Sequence, residues 1–281
     1  MESDCAGGLQ APIYFPDRPT QKKPGETMTV SMLLIAAIFL ISLVLTMVGL
    51  GGGLIFSPLF VILGFAKAEA ASASLFLNLV AAASAAYTYS RRKMVDFALA
   101  IPLIVSSSLA APIGSAINMH IDLKPFLVTL AVVLALAGVR MLASPPEEVQ
   151  RAAMPPSLKI LGGIGIGTGI GFIGGMLGIG GGVFVVPLLI YVLKTPTKIA
   201  AASSTFIVCF SSLSGFLGYA ARQAVDWAFI LPAALACLFA GQVGARIMST
   251  RLKGKTIRII FSFVLFALCV KLVHQAASIP Y

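Results

Sequence analysis

Ten apolar runs set the terms on which this chain can fold: roughly 28 to 48, 53 to 65, 70 to 90, 95 to 118 and 123 to 143, then 158 to 178, 182 to 193, 199 to 220, 225 to 247 and 256 to 277. The long runs each suffice for one crossing of a bilayer, which takes about 20 helical residues. A helix satisfies its own backbone N–H and C=O groups, so it is the element such runs form in lipid. With 58% hydrophobic and 11% charged residues, against about 25% charged in a soluble domain, the sequence specifies an all-α polytopic membrane protein. The net charge of +10 would suit nucleic acid, but the basic residues sit in short connectors such as Arg91-Arg92-Lys93 and the stretch Arg251, Lys253, Lys255, Arg258. That excess reads as the bias of cytoplasmic loops, and nucleic acid is not an expected partner.

Two runs are too short for a straight crossing, and each follows a glycine triplet. Val48-Gly49-Leu50-Gly51-Gly52-Gly53 leads into Leu54-Ile55-Phe56-Ser57-Pro58-Leu59, and Leu177-Gly178-Ile179-Gly180-Gly181-Gly182 into Val183-Phe184-Val185-Val186-Pro187-Leu188. Glycine costs about 1 kcal/mol relative to alanine within a helix, and non-helical backbone at membrane depth persists only where protein or a water-filled cavity satisfies it. The short runs are therefore expected to be half-helices that begin at the triplets. Paired breaks of this kind point to a transporter's binding site.

The pairing is part of an internal repeat. Gly51, Gly52, Gly53, Pro58 and Leu59 fall on Gly180, Gly181, Gly182, Pro187 and Leu188 at an offset of 129. One inserted residue later, Ser74, Phe76, Ser84, Tyr89, Asp96, Pro102 and Gly114 meet Ser204, Phe206, Ser214, Tyr219, Asp226, Pro232 and Gly244 at an offset of 130. The organisation expected is a flexible tail over 1–27, a first repeat over 28–143, a connector over 144–157 and a second repeat over 158–281. Five crossings per repeat, an odd number, turn the second copy upside down. The loop charges agree: inversion puts Arg91-Arg92-Lys93 and the cluster Arg246 to Arg258 inside, and their cation-poor counterparts outside.

A helix that starts after a break offers unpaired N–H groups and the positive end of its dipole, so Gly51, Gly52, Gly53, Gly180, Gly181 and Gly182 are candidates for holding an anion. Small polar side chains follow each triplet, among them Ser74 and Asn78 in the first copy and Ser204 and Thr205 in the second. Hydroxyl and amide donors suit oxyanion oxygens without a buried charge, although serine in a membrane helix commonly serves packing alone. Asn78 and Gln242 are mid-span amides, and an amide there needs a partner. The position matching Gln242 in the first copy is Pro112, so one half alone supplies that contact.

Other features read as structural. Gly163, Gly167, Gly171 and Gly175 recur every fourth residue, as close helix packing requires. Asp96 and Asp226 stand where helix N-caps belong. All ten acidic residues lie in the tail, in connectors or at span ends, so no mid-membrane carboxylate relay is visible. Neither HExxH nor GxSxG occurs, and Cys5, Cys209, Cys237 and Cys269 form no metal-ligand spacing. An enzyme, a metal and a cofactor are not expected.

The doubled GxGGGxxxxPL unit, the alanine- and serine-rich helix after it, and Gly241-Gln242-Val243-Gly244-Ala245 resemble the sulfite exporter TauE/SafE family, also called the toluene-sulfonate uptake permeases. The resemblance covers about residues 30 to 275. It implies an inner-membrane carrier of small sulfur-containing anions such as sulfite, sulfonates, sulfoacetate or thiosulfate, and it carries over to the two glycine triplets and Gln242. Export by alternating access is the expected function. An anion channel and a non-transporting membrane assembly protein are the competing classes. The expected partners are a small anion and the lipid bilayer, with a homodimer admitted.

Overall fold

The structure is a computed structural model that describes residues 24–50, 53–65, 67–117, 156–177, 182–220 and 227–277, and 131–143 apart from 133, 137 and 140. The described residues form helices joined by turns: α1 (Pro24–Val48), α2 (Gly53–Ile62), α3 (Lys67–Arg91), α4 (Phe97–Ile117), α5 (Leu134–Ala143), α6 (Pro156–Leu177), α7 (Gly182–Tyr191), α8 (Thr197–Ala220), α9 (Trp227–Thr250) and α10 (Gly254–Ala277). α1 begins at Pro24, inside the expected tail; a proline at a helix start gives up only an N–H that would lack an intrahelical partner anyway. The chain divides into Met1–Leu34 and Ile35–Tyr281, and the contacts described below all lie within the second unit.

Helices stop and restart about the glycine triplets: α1 ends at Val48 and α2 begins at Gly53, while α6 ends at Leu177 and α7 begins at Gly182, with residues 51–52 and 178–181 outside the described residues. α2 and α7 have 10 residues each, about 15 Å of rise, half the thickness of a ~30 Å hydrocarbon layer. They end alike. After α2 the Phe65 N–H donates to the Phe60 carbonyl across Gly64, whose φ is +94°, and after α7 the turn passes through Lys194 at φ +51°. Gly64 and Lys194 stand at matching positions of the repeat. Among the described residues, four helices are long and apolar enough to cross a membrane, over Glu69–Arg91, Phe97–Gly114, Thr197–Ala220 and Ile230–Thr250.

Packing exchanges helices between the halves: α3 lies against α8 and α9, and α4 against α8 and α6. Phe76 meets Trp227 edge to face at 5.3 Å, and 130 positions on, Phe206 meets Phe97 in the same manner at 5.4 Å. Likewise the Ser84 hydroxyl donates to the Leu238 carbonyl at 2.7 Å and its counterpart Ser214 to the Ser108 carbonyl at 2.8 Å. Successive contacts between α3 and α9 (Phe76 with Trp227, Ser84 with Leu238, Thr88 with Gln242) advance in the same direction along both helices. Those between α3 and α8 run in opposite directions, since Leu75 faces Gly215 whereas Asn78 reaches Ser212. The two partners of each half therefore sit on α3 and α8, which form the middle of the unit and are the most buried of the long helices.

The glycine ladder of α6 serves packing as its spacing predicts. Gly163 faces Pro102 and Leu103 at ordinary contact distance, Gly167 faces Ser106 and Leu103, and Gly171 lies on the backbone of Ser107, so at Gly167 and Gly171 α4 approaches closely enough for no side chain to fit between. On the other flank Gly244 of α9 lies against Leu43 and Thr46 of α1. Gly175 lies outside the residues whose surroundings are described. Asp96 caps α4 as expected: the Leu99 N–H donates to its Oδ1 at 3.4 Å, and its own N–H donates to the Ser203 hydroxyl at 3.0 Å. Asp226, the other expected cap, lies outside the described residues, as do the tail over 1–23 and the connector over 144–155.

Candidate functional site

The break of the first half meets the break of the second. α1 ends in a Schellman motif, in which the Leu50 N–H donates to the Leu45 carbonyl at 2.9 Å and the Gly49 N–H to the Thr46 carbonyl at 3.2 Å. Gly49 has φ +89°, a left-handed conformation that glycine adopts without a Cβ penalty. The turn carries Leu50 to the start of α7, where a Cβ on Gly182 would lie 2.8 Å from the Leu50 carbonyl oxygen. A Cβ on Gly49 would lie 2.5 Å from the Ala201 carbonyl oxygen of α8. Hydrogen is what both positions have room for.

Two carbonyl groups at this helix end, those of Thr46 and Gly49, are taken by side-chain donors. Ser204 of α8, fully buried, donates to the Gly49 carbonyl at 2.8 Å, and the buried Tyr89 hydroxyl of α3 donates to the Thr46 carbonyl at 3.0 Å. Donors thus take the Leu45, Thr46 and Gly49 carbonyls, while the Leu50 carbonyl faces Gly182 at the start of α7; the first N–H groups of α2 and α7 have no intrahelical acceptor by helix geometry. N–H groups of that kind, at the positive end of a helix dipole, suit negative charge.

The predicted site residues divide between this junction and the helix packing around it. Gly53 and Gly182 are the first residues of α2 and α7, while Gly51, Gly52, Gly180 and Gly181 lie outside the described residues. Ser204 is brought to the junction. Ser74, its counterpart, is equally buried on α3, and Thr205 is buried with its hydroxyl donating to the Ala201 carbonyl of its own helix at 3.0 Å. The Asn78 amide donates from Nδ2 to the Ser212 hydroxyl of α8 at 2.8 Å, and Gln242 accepts at Oε1 from the Thr88 hydroxyl. Asn78 and Thr88 stand ten residues apart on α3, about 15 Å of rise. The two mid-span amides do not converge.

Thr88, Tyr89 and Thr46 are contributors that the sequence did not single out for the site. Tyr89 was visible as a position shared with Tyr219, but its partner lies 43 residues away, and the partner of Thr88 lies 154 away. No local spacing announces contacts of that kind.

Comparison with known proteins agrees with this architecture. The profile of the family described as "Sulfite exporter TauE/SafE" matches residues 34–272. The probable membrane transporter protein YunE of Bacillus subtilis is 25% identical over 253 residues, spanning 82% of this chain and 92% of its own. A probable membrane transporter protein of Xylella fastidiosa (strain 9a5c) is 28% identical over 251 residues, with 84% and 92% covered. The probable membrane transporter protein y4hK of Sinorhizobium fredii is 23% identical over 240 residues, with 84% and 95% covered. No solved structure gives a significant match. The chain is a multi-pass membrane transporter that belongs to the sulfite exporter TauE/SafE family.

Proposed function

We propose that the chain exports small sulfur-containing anions of the sulfite, sulfonate, sulfoacetate or thiosulfate class across a bacterial inner membrane, by alternating access of two inverted repeats. The observation that carries this reading is the meeting of Leu50 with Gly182, which brings the break after α1 to the start of α7, beside the Gly49 carbonyl that Ser204 occupies. Residues of both triplets, Gly51 to Gly53 and Gly180 to Gly182, would offer backbone N–H groups, with Ser74 and Ser204 beside them. Asn78, Thr205 and Gln242 would act on the walls around that point. Inversion is supported by the opposed course of α3 and α8, which are counterparts in the repeat, and by the exchanged contacts of α3 with α9 and α8 with α4. The family description and the relatives' names support transport.

Export is favoured by two considerations. A membrane potential of 100 mV, negative inside, drives a monoanion outward by about 2.3 kcal/mol, and no acidic residue stands mid-span to couple uptake to protons. The test is flux of sulfite, thiosulfate and a sulfonate from proteoliposomes at clamped potential, with and without a protonophore. Saturable efflux that shows counterflow, survives the protonophore and is abolished by Gly182→Val supports the proposal. Unsaturable flux identifies a channel, loss of flux with the protonophore identifies proton coupling, and flux unchanged by Gly182→Val removes the junction from the path.

A further inference from the structure

Three helices carry an outward apolar stripe that ends in a cation at the same end of the molecule. On α3 the exposed face runs Ala83, Tyr87, Arg91, and on α10 it runs Lys255, Ile259, Phe263, each in steps of four residues that keep to one side of a helix. On α9 it runs from Trp227 through Leu231, Leu235, Phe239 and Val243 to Arg246, with Phe239 62% exposed. Because α3 and α9 advance together, Arg91 and Arg246 share one end, and the short turn over 251–253 brings Lys255 to it.

The distances match a bilayer. From Trp227 to Arg246 is 19 residues, about 28 Å along a helix, against a hydrocarbon thickness of ~30 Å. An aromatic ring therefore stands at one boundary and a guanidinium at the other, on a single lipid-facing line. Arg91 sits at that second level in a fixed pose: its Cζ lies 5.4 Å from the Tyr87 ring centroid, and Nε and Nη2 donate to the Tyr87 hydroxyl at 3.2 and 3.0 Å. That bond uses two of its five N–H donors. Among the described residues, no acidic side chain pairs with Arg91, Arg246 or Lys255. A cation at the foot of an apolar stripe stands where a phospholipid phosphate stands, not in an aqueous vestibule open to solutes.

We infer that Arg91, Arg246 and Lys255 form a ring of contact sites for anionic phospholipid headgroups on the outer face of the transporter. Charge and depth commit the occupant to lipid. Nothing in this depends on which solute the junction between α1 and α7 carries.

The full-length chain, reconstituted in nanodiscs of phosphatidylcholine with phosphatidylglycerol at a 3:1 ratio and then extracted in mild detergent, tests it through the lipids that remain bound. Phosphatidylglycerol should be enriched several-fold over its share in the mixture. Arg91→Gln with Arg246→Gln and Lys255→Gln should remove most of that enrichment, at about fivefold per cation. Arg92→Gln with Arg251→Gln and Lys253→Gln, which removes the same charge from the turns between helices, should keep it. The exchange Arg91→Lys, Arg246→Lys, Lys255→Arg retains charge and should also keep it, which separates lost sites from a lost fold. Equal retention of the two lipids overturns the inference. So does equal loss in the turn variant, which means diffuse attraction, or displacement of the lipid by glycerol phosphate, which means a site for small solutes.

Discussion

Phe76 meets Trp227 in one part of the molecule as Phe206 meets Phe97 in another, and Ser84 bonds α9 as Ser214 bonds α4, yet the amides that lie among these pairs have no equivalents. Asn78 bonds Ser212, and the positions matching them hold Val208 and Ala82. Thr88 bonds Gln242, and the positions matching them hold Gly218 and Pro112. These ring and hydroxyl-to-backbone contacts repeat, while the side-chain pairs Asn78–Ser212 and Thr88–Gln242 occur once, with non-hydrogen-bonding residues at the matching positions. The repeated contacts fix how two similar units embrace. The unrepeated ones make the two sides of the interior unlike, which matched contacts alone would not.

The largest break in this comparison is expected at the helix ends. Gly49 and Gly64 share a left-handed φ, but a Cβ at Gly49 meets the Ala201 backbone, whereas at Gly64 it meets nothing within 4 Å. Gly64→Ala should cost about 1–2 kcal/mol for the conformation alone, and the matching Lys194 shows that a side chain can occupy that turn. Gly49→Ala adds overpacking of about 1–3 kcal/mol and should abolish transport. Thermal unfolding in detergent read beside flux orders the two; an equal effect would mean that the junction has room to yield.

Next comes the occupied carbonyl. Ser204→Ala strips the Gly49 carbonyl of its donor in a fully buried place, at about 1–3 kcal/mol. Ser204→Cys, close in volume and weak as a donor, should recover packing but little of that loss. If it restores stability fully, packing and not the hydrogen bond held the site. In the anion reading both variants also weaken substrate, because a bare carbonyl brings negative charge to the junction, and the affinity for sulfite from proteoliposome flux should fall with the stability.

The half-helices were legible in the sequence because a glycine triplet followed by a proline contradicts a span wherever it occurs. The helix cap at Asp96 and the packing ladder of Gly163, Gly167 and Gly171 were legible for the same reason: each depends on residues a turn or two apart. The partners of Asn78 and Gln242 were not. Their bonds join residues 134 and 154 apart, and the choice among many serines and threonines rests on how α3 is rotated between α8 and α9. The meeting of Leu50 with Gly182 was hidden likewise. Two breaks related by a repeat imply a shared site, but which backbone atom touches which glycine follows from helix tilt.

The Asn78–Ser212 pair tests the unrepeated class. Asn78→Val alone leaves a buried hydroxyl without its donor and should cost about 1–2 kcal/mol. Adding Ser212→Ala installs the apolar pair that the other copy already carries, and removing both partners of a hydrogen bond can be nearly neutral. The double variant should therefore recover most of the stability. Transport need not recover with it: if the pair gives the interior its direction, flux measured from the two sides of right-side-out and inside-out vesicles should become more nearly equal. A double variant as unstable as the single one would show that the two copies pack differently at this level.

The smallest effect is the most exacting for the symmetry itself. Ser84 and Ser214 are each partly buried and each donates to a carbonyl of a helix from the other half, at 2.7 and 2.8 Å. Hydrogen bonds between membrane helices average about 0.6 kcal/mol, so Ser84→Ala and Ser214→Ala should each lower stability by about that much, and by equal amounts within error. The two sites use different helices and share no partner, so the double variant should show simple addition. Unequal costs, or a double variant well beyond the sum, would mean that these bonds do more than hold matched surfaces together. Equal and additive costs would leave the amides, and not the serines, as the place where the two halves part.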